Sequence, residues 1–194
     1  MRTYSSFFVF LVAQTVVAAP LPARLPVTRS DFVVMETSLG TVKIRLYPDK
    51  APETVKNFLT YVDDKFYDGT QFHRVIPNFM IQGGGFDAQM TEKPGRPPIR
   101  NESANGLTNK RGSIAVARAA DADSGTSQFY FNVKDNSFLD RANAPDRAGY
   151  CVFGEVVEGM NIVDAITQVA TGDKPPHSNV PLQPVLIRTV RRAP

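Results

Sequence analysis

A single cysteine, Cys151, stands in the whole chain of 194 residues. No internal disulfide can form, and a thiolate metal cluster has nothing to build on. Histidine is almost as scarce. His73 and His177 are the only two and lie far apart in sequence, which argues against a histidine-based zinc site. Charge of neither sign dominates: 22 lysines and arginines face 19 acids, for a formal net charge of +3. The bases are scattered, apart from a short Arg191-Arg192 pair, whereas a dedicated nucleic-acid binder gathers them on one stripe. No nucleic-acid partner is expected.

Motifs for nucleophilic or cofactor chemistry are missing as well. There is no G-x-S-x-G elbow, and neither histidine has an evident Ser and Asp partner at a strand end. Gly83-Gly84-Gly85-Phe86-Asp87-Ala88 has the letters of a dinucleotide fingerprint. Pro94 and Gly95 leave no room for the helix that must follow, and no parallel βαβ unit surrounds it. The run from Asp121 to Gly125 hints at a calcium loop, but Gly125 holds a ligand position and no Glu closes the span. Neither a metal nor a cofactor is expected. Asn101-Glu102-Ser103 is a glycosylation sequon only in a host that glycosylates secreted proteins.

Only one long apolar run exists, and it lies at the N-terminus. Arg2 precedes Phe7 to Val17, which is apolar except for Gln14 and Thr15, and Ala18 and Ala19 then offer a cleavage site. Residues 1–19 read as a signal peptide, and the run falls short of the roughly 20 residues that span a bilayer. Pro20, Pro22 and Pro26 make 20–30 an extended leader. Residues 31–194 remain as one domain, with no membrane contact after signal removal. A periplasmic location follows as the expectation, and a monomer.

That domain reads as short strands. Val33 and Met35 alternate, Ser38-Leu39-Gly40 turns, and Val42, Ile44 and Leu46 return on one face opposite Lys43 and Arg45. Further strands are predicted over 71–76, 79–83, 113–117, 129–133, 151–157 and 185–190, eight in all. Pro52 opens a helix with Val55, Phe58, Leu59 and Val62 at helical spacing, and a second helix runs over 160–168. Eight antiparallel strands with two helices predict a mainly β chain, closed into a barrel and capped by the helices. A barrel of that size is filled by its own side chains, so the working site belongs on its outer wall. The long Pro-, Gly- and Asn-rich segment from Phe86 to Lys110 has little periodicity, and such loops in a compact domain are usually functional.

One run is unusual: Phe72-His73-Arg74-Val75-Ile76-Pro77-Asn78-Phe79-Met80-Ile81-Gln82-Gly83-Gly84. It resembles the cyclophilin signature. Two later blocks match in order and spacing: Gly112 to Ala119 with Gly125 to Tyr130, and Phe138-Leu139-Asp140 with Tyr150 to Val156. The similarity covers about residues 32 to 191. It implies a peptidyl-prolyl cis–trans isomerase, with an eight-stranded barrel and a shallow groove that takes proline-containing, unfolded or flexible polypeptides.

By position, Arg74 is similar to the family's catalytic arginine, Phe79 to the floor of its proline pocket, and Gln82 to the residue holding a substrate carbonyl. The resemblance puts Met80, Phe129 and Leu139 on the pocket wall, with Tyr130 where many members carry Phe. The backbone at Ala117 and Arg118 matches the strip that docks the peptide, and Gln128 lines the adjoining groove. Phe138 stands where cyclosporin-sensitive members have Trp, and Tyr150 replaces a frequent His at the rim. Weak cyclosporin binding with isomerase activity kept is the expectation. His73 is expected on the strand face opposite Arg74, in a structural role.

These residue types suit the chemistry. Amide resonance sets a rotation barrier of about 18–20 kcal/mol, and X–Pro bonds populate both isomers. No bond breaks, so a catalyst need only bind the twisted amide better than the flat one. A fixed arginine that donates to the prolyl nitrogen, freed from resonance by the twist, does this. A holdase that grips Pro-containing segments without turnover is the alternative.

Overall fold

The computed structural model describes Met1 and residues 31–193. The readings of residues 1–19 as a signal peptide and 20–30 as a leader therefore fall outside the described residues, Met1 excepted.

Strands β1 (Phe32–Thr37) and β2 (Gly40–Leu46) form the N-terminal hairpin. Val33, Met35, Val42, Ile44 and Leu46 are buried on its inner face, as alternation requires. Helix α1 (Pro52–Asp63) follows, with Pro in its first turn where the missing N–H costs nothing. The Glu102 carboxylate accepts from the N–H groups of Glu53 (3.2 Å) and Thr54 (2.8 Å), capping the helix from a distant loop. Then come β3 (Thr70–Ile76), β4 (Met80–Asp87), β5 (Ser113–Val116), β6 (Phe129–Asn132), β7 (Val152–Glu158), helix α2 (Met160–Thr167), β8 (Thr171–Lys174), β9 (His177–Pro181) and β10 (Leu186–Arg192).

Eight of these strands close a barrel in the order β1-β10-β3-β4-β6-β5-β7-β2, every pairing antiparallel. They are the eight strands expected from the sequence. Phe72, Ile81, Ile114, Phe131 and Ile187 fill the interior, and Phe58 and Val62 of α1 and Val163 and Ile166 of α2 join the same core. Large side chains with almost no exposure occupy the lumen, so a site for a peptide belongs outside. Bidentate pairs of Arg191 with Asp68 (2.8 and 2.6 Å) and Arg192 with Asp63 (2.8 and 2.7 Å) anchor the last strand.

The β8–β9 hairpin is an addition the pattern did not announce. It forms its own two-stranded sheet and lies against β3. Its strands carry Thr171-Gly172-Asp173-Lys174 and His177-Ser178-Asn179-Val180-Pro181, where the adjacent buried Val180 and Pro181 make no apolar alternation to signal them.

One irregularity corrects a reading. In β3 the pairing with β4 slips between Phe72 and Arg74, a bulge that adds one residue. Phe72 and Val75 both point into the core, so His73 and Arg74 both lie on the outer wall, not on opposite faces. His73 keeps its structural role. It is 4% exposed, and its ring packs 4.6 Å from Phe86 and 6.5 Å from His177 of β9.

Candidate active site

Arg74 stands exposed on the outer face of β3 just before the hairpin turn. That turn, Ile76-Pro77-Asn78-Phe79, closes through Phe79 N–H to Ile76 C=O at 3.2 Å. Proline fixes its second position and Asn78 takes the left-handed φ of 58° at the third. Phe79 is thereby folded back beside Arg74. Across the ladder Gln82 is the direct partner of Arg74, and its Oε1 lies 3.5 Å from Arg74 Nη1. Gln82 donates from Nε2 to Gln128 Oε1 at 2.9 Å, which fixes the amide's sense and leaves its second N–H for a ligand carbonyl. Gln128 can lie this close because position 85 is glycine; a Cβ there would stand 2.6 Å from Gln128 Cγ.

These groups border an open hollow of about 410 Å³, its mouth included, lined by Arg74, Phe79, Met80, Gln82, Ala117, Arg118, Tyr130, Leu139 and Tyr150. Nine of the twelve residues singled out from the sequence thus meet in one place. Phe138 belongs to its rim: it is 51% exposed and stacks on Phe79 with ring centres 5.6 Å apart. Gln128 touches the site through Gln82 and also lines a narrow space beneath it with Thr54, Asn57 and Phe58.

Phe129 is the correction. It is 1% exposed and lies inside the barrel, edge-on to Phe58, Tyr67 and Phe72. Neighbours on a strand face opposite ways, so the wall position belongs to Tyr130 and the core position to Phe129.

Arg118, expected from the sequence to offer its backbone, has its side chain built into the site as well. That side chain is 4% exposed. Its Nε donates to Gly149 C=O (3.0 Å), Nη1 to Ala119 C=O (3.0 Å) and Nη2 to the Asp146 carboxylate. Asp146 also accepts from the N–H groups of Ala148 and Gly149, and with Arg118 as the main cause its carboxyl is pulled down to about 2. Gly149 holds φ at 61°, and a Cβ there would meet Arg141 N at 2.5 Å, so only glycine carries the chain into Tyr150.

Behind the walls lies a second group the sequence did not point to, made of Asn109, Asn132 and Asn136, all buried. Asn109 and Asn136 lie in aperiodic segments and Asn132 ends β6, so these short polar side chains leave no pattern to find. Cys151 is no nucleophile: burial pushes its thiol up to about 11. Tyr130's hydroxyl is likewise held neutral, its pKa raised first by burial. Among the described residues no three His, Cys, Asp or Glu side chains gather to hold a metal ion. The arrangement can grip a small apolar ring, fix a carbonyl and present one cation.

Comparison with known proteins agrees with this geometry. The family model described as cyclophilin type peptidyl-prolyl cis-trans isomerase/CLD matches residues 32–192. A peptidyl-prolyl cis-trans isomerase of Acinetobacter baylyi is 54% identical over 162 residues, 84% of this chain and 85% of the relative. The isomerase A of Dickeya dadantii is 47% identical over 184 residues, covering 93% of this chain and 96% of that one. A crystal structure of a Cryptosporidium parvum cyclophilin-type isomerase, determined in the presence of the dipeptide Ala-Pro, superposes with a TM-score of 0.72 at 25% identity, over 84% of this chain and 99% of that one. With barrel, signature and close relatives in agreement, the chain belongs to the cyclophilin-type peptidyl-prolyl cis–trans isomerases.

Proposed function

We propose that the hollow beside Arg74 is where this isomerase works, that Arg74 stabilises the half-rotated X–Pro amide, and that its clients are polypeptides folding in the periplasm after export. One observation carries the reading: a guanidinium, an oriented Gln82 amide and an apolar floor at Phe79 and Met80 share one solvent-facing hollow. The Ala-Pro dipeptide present with the Cryptosporidium relative supports a proline-containing substrate.

Proline's ring enters against Phe79, Met80 and Leu139, and Gln82 holds a flanking carbonyl. One side of the imide is pinned while the other turns. In the twisted state the prolyl nitrogen regains its lone pair, and Arg74 donates to it. The planar amide offers no such acceptor, so the bond forms only where it lowers the barrier. A charge-assisted hydrogen bond is worth about 1.5–3 kcal/mol, roughly one to two decades of rate at about 1.36 kcal/mol each. Orientation and the thinning of water around the ring supply the remainder.

The test is exchange NMR or a protease-coupled assay on an Ala-Pro peptide. Arg74→Ala should lower kcat/KM by about 10- to 100-fold, while peptide capture survives in the apolar hollow. Undiminished turnover would remove Arg74 from the chemistry. Export has its own check: the mature protein's N-terminal residue, read by mass spectrometry of a periplasmic extract, should be Ala19 or Pro20.

A further inference from the structure

The hollow's walls come from five separate stretches of chain, and one buried amide joins four of them. We propose that Asn109 is a positioning residue for the isomerisation, holding Tyr130, Tyr150, Leu139 and Phe79 in register from behind without touching the substrate. The inference rests on the hollow being the proline pocket.

Asn109 ends the long aperiodic segment ahead of β5 and is 1% exposed. Its Oδ1 accepts from the Tyr130 hydroxyl at 2.7 Å and from Asn132 Nδ2 at 3.2 Å. Its Nδ2 donates to Asp140 Oδ1 at 2.9 Å, with a longer contact of 3.5 Å to the Tyr150 carbonyl. Its backbone N–H reaches the same Asp140 oxygen at 2.6 Å, and its carbonyl accepts from Asn136 N–H at 2.8 Å. Asn136 passes the connection on, donating from Nδ2 to Asn132 Oδ1 (2.7 Å) and to the Phe79 carbonyl (2.8 Å). Tyr130 and Tyr150 are thus held directly, Leu139 through the adjoining Asp140, and Phe79 through Asn136.

The position asks for an acceptor and a donor on one short side chain, and asparagine supplies both. Asn132 and Asn136 are fully buried and Tyr130 nearly so. A lost partner there leaves an unsatisfied group at low dielectric. Tyr130's ring faces the hollow while only its hydroxyl reaches the network, so that bond sets the angle of a wall the substrate touches.

Two variants test this, assayed on the purified full chain with an Ala-Pro peptide beside Arg74→Ala. Tyr130→Phe deletes the hydroxyl alone and should lower kcat/KM by about three- to tenfold. Asn109→Asp supplies a pH readout. The titratable groups near this amide are Asp140, Tyr130, Tyr150 and Cys151, with Arg118 behind Tyr150 and Lys110 and Arg111 exposed next to it in the chain. The introduced carboxyl and Asp140 repel, so the pair retains one proton to unusually high pH. While protonated it can donate to Asp140 and accept from Tyr130, as the amide does. Once both are charged the link breaks.

The Asn109→Asp enzyme should therefore match wild type near pH 5 and lose about tenfold in kcat/KM as pH rises, with an unchanged circular dichroism spectrum. Wild type stays flat over that range. If Asn109→Asp does not fold, Tyr130→Phe decides alone. Arg74→Ala slow with Tyr130→Phe at the wild-type rate overturns the role of Asn109 and spares the pocket. Arg74→Ala at the wild-type rate overturns the pocket, and this proposal with it.

Discussion

The guanidinium of Arg118 lies 4.4 Å from the centre of the Tyr150 ring and is fastened on its other edges to Gly149, Ala119 and Asp146. Tyr150 is a wall of the hollow, so a buried cation serves as its backing. Arg118→Met keeps most of the bulk and removes the fork. The Ala119 carbonyl loses its side-chain donor, the Gly149 carbonyl keeps Asn101 Nδ2 at 3.1 Å, and the ring loses a cation–π contact, for a cost of about 1–2 kcal/mol. The Asp146 pair adds little, because that carboxylate is exposed. The variant should melt several degrees lower and show KM raised about three- to tenfold, with kcat less affected. Thermal unfolding and steady-state kinetics measure both. A wild-type KM would mean that Tyr150 stands without help.

Phe129 and Tyr130 are adjacent and serve opposite sides of the barrel, one packed on Phe58, Tyr67 and Phe72 and the other facing the hollow. Phe129→Leu should thus cost stability, about 1–3 kcal/mol by analogy with other core truncations. Its kcat/KM per folded molecule should stay within about twofold of wild type. Denaturant titration together with the isomerase assay separates the two quantities. Strong loss of turnover in a fully folded variant would return Phe129 to the pocket wall.

The barrel strands were legible because each carries its own evidence. Val42, Ile44 and Leu46 alternate, and Val55, Phe58 and Val62 repeat at helical spacing. Most of the site was legible too, since Arg74 through Gln82 form one contiguous hairpin. Three things were not. The bulge beside His73 depends on how β3 registers on β4, and no single strand shows that. The β8–β9 hairpin is held by packing on β3 and has no apolar period of its own. Asn109 acts through partners 21 to 41 residues away, a separation beyond any local pattern.

Phe138 stacks on Phe79 and leaves half of its surface open. The resemblance implies that a cyclic peptide such as cyclosporin would seat here, and against a small ring with no hydrogen-bond donor weak binding is the expectation. Phe138→Trp offers a larger face and an indole N–H. Affinity should rise by about tenfold or more, on the order of 1.4 kcal/mol, while turnover of an Ala-Pro peptide changes little. Isothermal titration compares the two proteins directly. Equal affinities would show that another residue limits the ligand.

Acid should act on this protein through its stability before its chemistry. Catalysis by the proposed arginine uses no acid or base that titrates near neutrality, so kcat/KM should be flat between about pH 6 and 9, and a bell centred near the ordinary histidine range would implicate an imidazole instead. His73, by contrast, is held neutral. Burial first, then His177 and Arg74, lowers its pKa from 6.5 to about 4. The unfolded chain takes up a proton as pH falls through 6.5, while the folded chain refuses it until about 4. Unfolding therefore gains over that interval, and the native state loses up to about 3 kcal/mol between those limits. The acids Asp63 and Asp68, drawn down by Arg192 and Arg191, add to the loss only at lower pH. The melting temperature should fall steadily from pH 6.5 to 4 in wild type, whereas His73→Leu should flatten that slope at some cost in stability at pH 7. Parallel slopes in the two proteins would place the acid sensitivity elsewhere than beneath the β8–β9 hairpin.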